Sequence, residues 1–151
     1  MALVIAFGNP LREDDGVGWA VAEALQARGR VTVLTVHQLG PELAEAVSGA
    51  RTVVFVDAHC EGPPGAVRSE SLSPASARQE LTHVLDPGTL LLYSQLLYGC
   101  APRAAMVSIA GACFGLGQRL SPAVRRALPE AVRRVEHLVA DPHPSTGADA
   151  C

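Results

Sequence analysis

The first eighteen residues restrict the fold more than any other stretch. The apolar run Ala2-Leu3-Val4-Ile5-Ala6-Phe7 stops at Gly8-Asn9-Pro10, and Val17, Trp19, Ala20, Val21, Ala24 and Leu25 then follow with a helical period. A short Val/Ile/Leu run closed by Gly-Asn-Pro predicts a buried strand ending in a tight turn, with a helix behind it. Three acids, Glu13, Asp14 and Asp15, lie between the two. Their place predicts that Asp14 or Asp15 sits at the helix N-terminus, where free N–H groups and the macrodipole favour negative charge.

The alternation continues along the chain. Residues 31–36 are β-branched and read as a second strand, 41–47 as a short helix opened by Pro41, and 52–56 as the clearest strand, terminated by Asp57-Ala58-His59. Residues 60–79 are rich in Gly, Pro and Ser and read as loop, with a short edge strand at 66–68. Asp86-Pro87-Gly88 precedes a helix carrying Leu90, Leu91, Leu92, Leu96 and Leu97, and 104–110 form another strand. Ser121-Pro122 opens a helix over 123–140, with Val124, Leu128, Val132, Val135 and Leu138 on one face. Strands alternating with helices predict an α/β fold: a three-layer, mostly parallel twisted sheet of about five strands, flanked by helices on both faces. At 151 residues, one domain over 1–140 and a mobile tail over 141–151 are expected.

Composition excludes several partners. A net charge of −3 with 4% aromatic residues offers neither the basic patch of a nucleic-acid binder nor attraction to an anionic membrane. No leader-like segment and no run long enough to span a bilayer is expected. Cys60, Cys100, Cys113 and Cys151 show no CxxC pair, which argues against a zinc site or a disulfide framework and for a reduced, cytoplasmic setting.

The chemistry is expected at one edge of the sheet. Open parallel sheets bind ligands at the carboxyl ends of their strands, where strand order reverses. Asp15 follows the first strand and Asp57 the third, so the two carboxylates are expected to converge there. His83 and His59 are the candidate imidazoles. Carboxylate and imidazole together suit a divalent first-row metal, and affinity alone does not choose which. The loop 111–117 is glycine-rich but lacks both the Lys-Ser/Thr ending of a phosphate loop and GxGxxG spacing, so its glycines read as turn residues. No Ser-His-Asp or Cys-His arrangement is evident, which disfavours a covalent mechanism.

Three separated motifs carry a family resemblance. Phe7-Gly8-Asn9-Pro10-Leu11 with Asp14-Asp15-Gly16 and Gly18, then Val56-Asp57-Ala58, then His83 ahead of the Leu-rich segment, together resemble the nickel-iron hydrogenase maturation endopeptidases. The likeness runs from Leu3 to Leu97. It implies a processing protease that recognises nickel in the precursor of the hydrogenase large subunit and removes its C-terminal extension. It further implies that Asp15, Asp57 and His83 contact the metal, that Asp15 or Asp57 helps to polarise the attacking water, and that Asp14 supports the turn. His83 is preferred to His59 because its Leu-helix context matches the family. The nickel arrives with the substrate, and no organic cofactor is expected.

Two details depart from the family pattern: Asp15 stands where many members have Glu, and Leu81 stands two places before His83 instead of a small polar residue. The alternatives are a non-catalytic α/β binding module for a nucleotide or a scaffold, or a family member that processes another metalloprotein. The first needs a phosphate cradle between Gly8 and Gly18, which the neighbouring acids would repel.

Overall fold

In the computed structural model, which describes residues 1–78 and 85–140, the N-terminal apolar run is the strand β1 (Ala2–Phe7), central in the sheet. Successive side chains of a strand face opposite sides, and β1 is buried on both. Val4 and Ala6 join one core cluster, while Leu3 and Ile5 join the other. A continuous apolar run rather than an alternating one is what two covered faces require.

The helix α1 (Val17–Arg28) follows and ends at Gly29, whose φ of 63° closes it in the left-handed conformation. Then come β2 (Thr32–Val36), α2 (Ala44–Ser48, after a 3-10 turn at Pro41–Leu43), β3 (Thr52–His59) and β4 (Val67–Leu72). The helix α3 (Pro87–Tyr98) leads to β5 (Arg103–Ala110) and α4 (Pro122–Ala140). Asp86 caps α3 by accepting the Thr89 N–H at 2.6 Å, with Pro87 at the first helical position.

The five strands lie in the order β2-β1-β3-β5-β4. All neighbours are parallel except β4, which runs antiparallel to β5 along one edge. Helices α1 and α4 cover one face through Val17, Val21, Leu25, Val124, Val132 and Val135. Elements α2 and α3 cover the other through Ala44, Val47, Leu90 and Leu91, packed on Val53 and Phe55. This is the expected three-layer, mostly parallel α/β sheet. Among the described residues no helix is long and apolar enough to cross a membrane. The predicted tail, 141–151, lies outside the described residues.

Two boundaries move, each for a pairing reason, and one expected cap does not form. Strand β3 does not stop at Val56: β5 runs beside it, and the pairs Asp57↔Ser108, Ala58↔Ile109 and His59↔Ala110 carry it three residues further. The edge strand expected at 66–68 extends to Leu72 because it pairs β5 throughout. Neither Asp14 nor Asp15 caps α1. A 3-10 turn at Glu13–Gly16 feeds the helix, and Gly16 occupies the cap position with no side-chain bond.

Candidate active site at the carboxyl edge of the sheet

Strand order reverses between β1 and β3. From β1 the chain crosses by α1 to β2 on one side, and from β2 it crosses back by α2, on the opposite face, to β3. The carboxyl ends of β1 and β3 therefore flank the crevice in which open α/β sheets bind ligands. Gly8 ends one strand and Asp57 belongs to the end of the other.

Gly8 is the floor of this crevice. Its φ is 134°, a conformation that side chains rarely adopt. A Cβ there would collide with the backbone carbonyl of Asp15 and approach Asp57 Oδ1 to 3.2 Å. The Asp15 backbone and the Asp57 carboxylate thus both crowd a position that only glycine fits. Trp19 holds the same spot from α1, its indole N–H donating to the Gly8 carbonyl at 3.0 Å. Gly18 lets α1 seat tightly against the strand ends, since a Cβ would lie 2.8 Å from the Val56 carbonyl oxygen.

Each carboxylate is held by a backbone donor. Asp15 Oδ2 accepts the Asn9 N–H at 2.8 Å, and Asp57 Oδ1 accepts the Ala58 N–H at 2.7 Å. Burial pushes the Asp57 carboxyl up to about 8, the Ala58 bond opposes the rise, and the charge of Asp15 adds to it. Asp57 is part-buried at the end of β3. A carboxyl held against ionisation in this way takes up a proton or a cation.

Asp14 serves a different purpose. It is fully buried, and its side chain accepts N–H bonds from Ala112 (2.7 Å), Cys113 (3.0 Å) and Ser121 (2.7 Å). Burial alone would raise its pKa, but the bonds from Ser121, Cys113 and Ala112 prevail and hold it below the usual carboxylate value. The expectation that Asp14 supports the turn is met by a different contact from the one foreseen: it ties the acidic loop to the loop after β5. Glu13 reinforces the tie, since its N–H donates to the Gly117 carbonyl at 2.8 Å and its side chain accepts from Gly115 N–H at 3.1 Å. Sequence reading gave the 111–117 loop no part in the site. The available signal was its position, a glycine-rich turn after a parallel strand at the same sheet edge.

The described residues bring Asp15 and Asp57 together; His83 lies outside them. His59 ends β3 on the same side as Asp57, but no group of three His, Cys, Asp or Glu residues that could hold a metal forms among the described residues. Its Nδ1 accepts the Glu61 N–H at 3.2 Å. Its buried Nε2 has no hydrogen-bond partner among the described residues. His37 packs edge-on against Trp19 with ring centroids 5.4 Å apart.

The acidic loop is not a phosphate cradle. Such a cradle aims free backbone N–H groups at its ligand, whereas here the N–H groups of Gly8, Asn9, Leu11, Arg12, Glu13, Asp14 and Asp15 all donate within the protein. The nucleotide-binding alternative loses its main support.

Comparison of the fold with solved structures agrees. The nickel-iron hydrogenase maturation protease HybD from Thermococcus kodakarensis superposes with a TM-score of 0.74 at 26% identity, over 91% of this chain and 98% of that one. The fold is that of the hydrogenase maturation proteases. Escherichia coli HybD matches with a TM-score of 0.74 at 21% identity, over 89% of this chain and 88% of its own. HycI from Thermococcus kodakarensis matches at 0.71 and 20% identity, over 93% and 92%. No protein-family model and no curated protein sequence matches the chain. The hydrogenase maturation protease resemblance read from the three motifs is therefore borne out at the level of the fold.

Proposed function

We propose that the protein is an endopeptidase that recognises nickel in the precursor of a nickel-iron hydrogenase large subunit and removes its C-terminal extension. One observation carries the reading: Asp15, through its backbone, and Asp57, through its carboxylate, both lie against Gly8 at the β1/β3 crevice, and burial together with the Asp15 charge lifts Asp57 to about 8. A site so arranged favours a cation, and the relatives with this fold are named maturation proteases.

In this reading the metal is part of the substrate. Asp15 and Asp57 contact it, with His83 as the third ligand. A metal-held water is more acidic than free water, and a metal-polarised carbonyl more electrophilic, so either serves an attack that needs no covalent intermediate. Asp15 or Asp57 then helps to polarise the attacking water. The partner is the precursor alone, with neither nucleic acid nor membrane, and no organic cofactor takes part. In this reading the setting is cytoplasmic.

The test is cleavage of a nickel-loaded precursor, followed by mass spectrometry, with wild type and Asp57→Ala. Wild type should release the extension and the variant should not, while circular dichroism shows both folded. Full cleavage by Asp57→Ala would remove the carboxylate pair from the mechanism. No cleavage of any nickel-loaded precursor by wild type would overturn the function.

A further inference from the structure

Strand β4 lies at the edge of the sheet, paired with β5 on one side and with no described residue on the other. Residues Arg68, Ser69, Glu70 and Ser71 are exposed. An open, exposed edge is a template for another strand.

The geometry of that edge selects its partner. The Ala110 N–H donates to the Ala66 carbonyl at 2.9 Å, and the β4·β5 register continues from there as Val67↔Ile109 and Arg68↔Ser108. In an antiparallel pair hydrogen-bonded and non-bonded positions alternate. Arg68, Glu70 and Leu72 therefore spend their backbone groups on β5, while Val67, Ser69 and Ser71 direct theirs outward. An antiparallel copy of the same strand can join only with outward residues opposite outward residues, so a two-fold axis must pass through a residue and not between two. Centred on Arg68 or on Glu70, the pairing sets like charges directly opposite each other. Centred on Ser69, it sets Arg68 of each copy opposite Glu70 of the other, at the non-bonded positions where side chains stand closest.

We propose that β4 is a homodimer interface, joining two copies through an antiparallel β4–β4 pair centred on Ser69 into one continuous ten-stranded sheet. This is an isologous contact, in which one self-complementary patch meets itself. The neighbouring helix extends it. Arg134 of α4 donates to Ser69 Oγ at 3.3 Å and to Glu130 at 2.9 Å, beside an open groove of about 480 Å³ that His137 and Leu138 also line. Because Arg134 contacts Ser69, the axis through Ser69 also draws this charged stretch of α4 toward its copy. The carboxylate crevice lies at β1 and β3, away from this edge, and stays open in the dimer.

Analytical ultracentrifugation of the full chain at micromolar concentrations and low salt tests the proposal. Wild type should sediment as a dimer. Arg68→Glu and Glu70→Arg each create two like-charge pairs and should weaken the dimer at least about tenfold, and the double swap should restore it. Ser69→Pro removes the central outward N–H and should give monomer with an unchanged circular dichroism spectrum. Monomeric wild type, or a dimer that neither single swap weakens, or a double swap that stays monomeric, would overturn the assignment.

Discussion

Asp14 and Ser121, 107 positions apart in sequence, are joined by a buried hydrogen bond of 2.7 Å from the Ser121 N–H to Asp14 Oδ1. With the Ala112 and Cys113 N–H groups on Oδ2, one carboxylate closes the loop after β5 onto the acidic loop and sets the start of α4. Asp14→Ala leaves three buried donors unmet and should cost about 3 kcal/mol. Asp14→Asn should cost nearly as much, because an amide has one acceptor oxygen and its NH2 must face another donor. The lowered pKa of Asp14 gives the sign with pH: its stabilising effect is present above the ordinary value of 3.8 and fades as pH falls through its depressed folded value. Urea denaturation at neutral and acid pH should therefore show the gap between wild type and Asp14→Ala narrowing in acid.

Asp57 has the opposite sign. Its carboxyl titrates near 8 in the folded protein against 3.8 for a free one, so the folded state holds a proton that the unfolded state has lost. Stability must then fall as pH rises from about 4 to about 8 and level off beyond. Asp57→Asn keeps the shape without the charge, and should stabilise the protein increasingly over that window while abolishing processing. Melting temperatures from pH 4 to 9 check this. A constant offset between the two proteins across the range would mean that Asp57 is not the titrating group.

Gly18 tests how tightly α1 must sit. A Cβ at this position lies 2.8 Å from the Val56 carbonyl oxygen and 3.3 Å from that of Phe7, both backbone atoms of central strands that cannot swing aside. Gly18→Ala should therefore destabilise by about 2 kcal/mol despite the gain in helix propensity. Thermal melts measure it; a stabilised variant would show that the helix can lift without cost.

What the sequence revealed follows from the range of the interactions involved. Strands β1 and β3 were legible because burial on both faces demands unbroken apolar runs, and α4 because its Val124, Val132 and Val135 recur on one face. Asp15 and Asp57 could be placed at one edge because parallel topology puts the carboxyl ends of all such strands together. The role of Asp14 was not legible: its three donors come from residues about 100 positions away, and no local pattern encodes them. The end of β3 was missed for a similar reason, since pairing with β5, and not its own composition, carries it past Val56 to His59.

Trp19 is the single tryptophan in the chain, and its indole N–H holds the carbonyl of Gly8, the residue against which the Asp15 backbone and the Asp57 carboxylate lie. Its fluorescence should therefore report on the crevice. Added nickel, being paramagnetic, should quench it in wild type with a saturating titration, and the quenching should vanish in Asp57→Asn while Glu23→Gln, on the outer surface of α1, leaves it unchanged. Trp19→Phe removes the donor and leaves the Gly8 carbonyl without it, at a cost of about 1 kcal/mol. Because Gly8 then loses its anchor, processing should fall by more than this small loss of stability accounts for. Equal quenching of wild type and Asp57→Asn would mean that nickel meets the indole elsewhere on the surface, and the carboxylate pair would lose its claim to the metal.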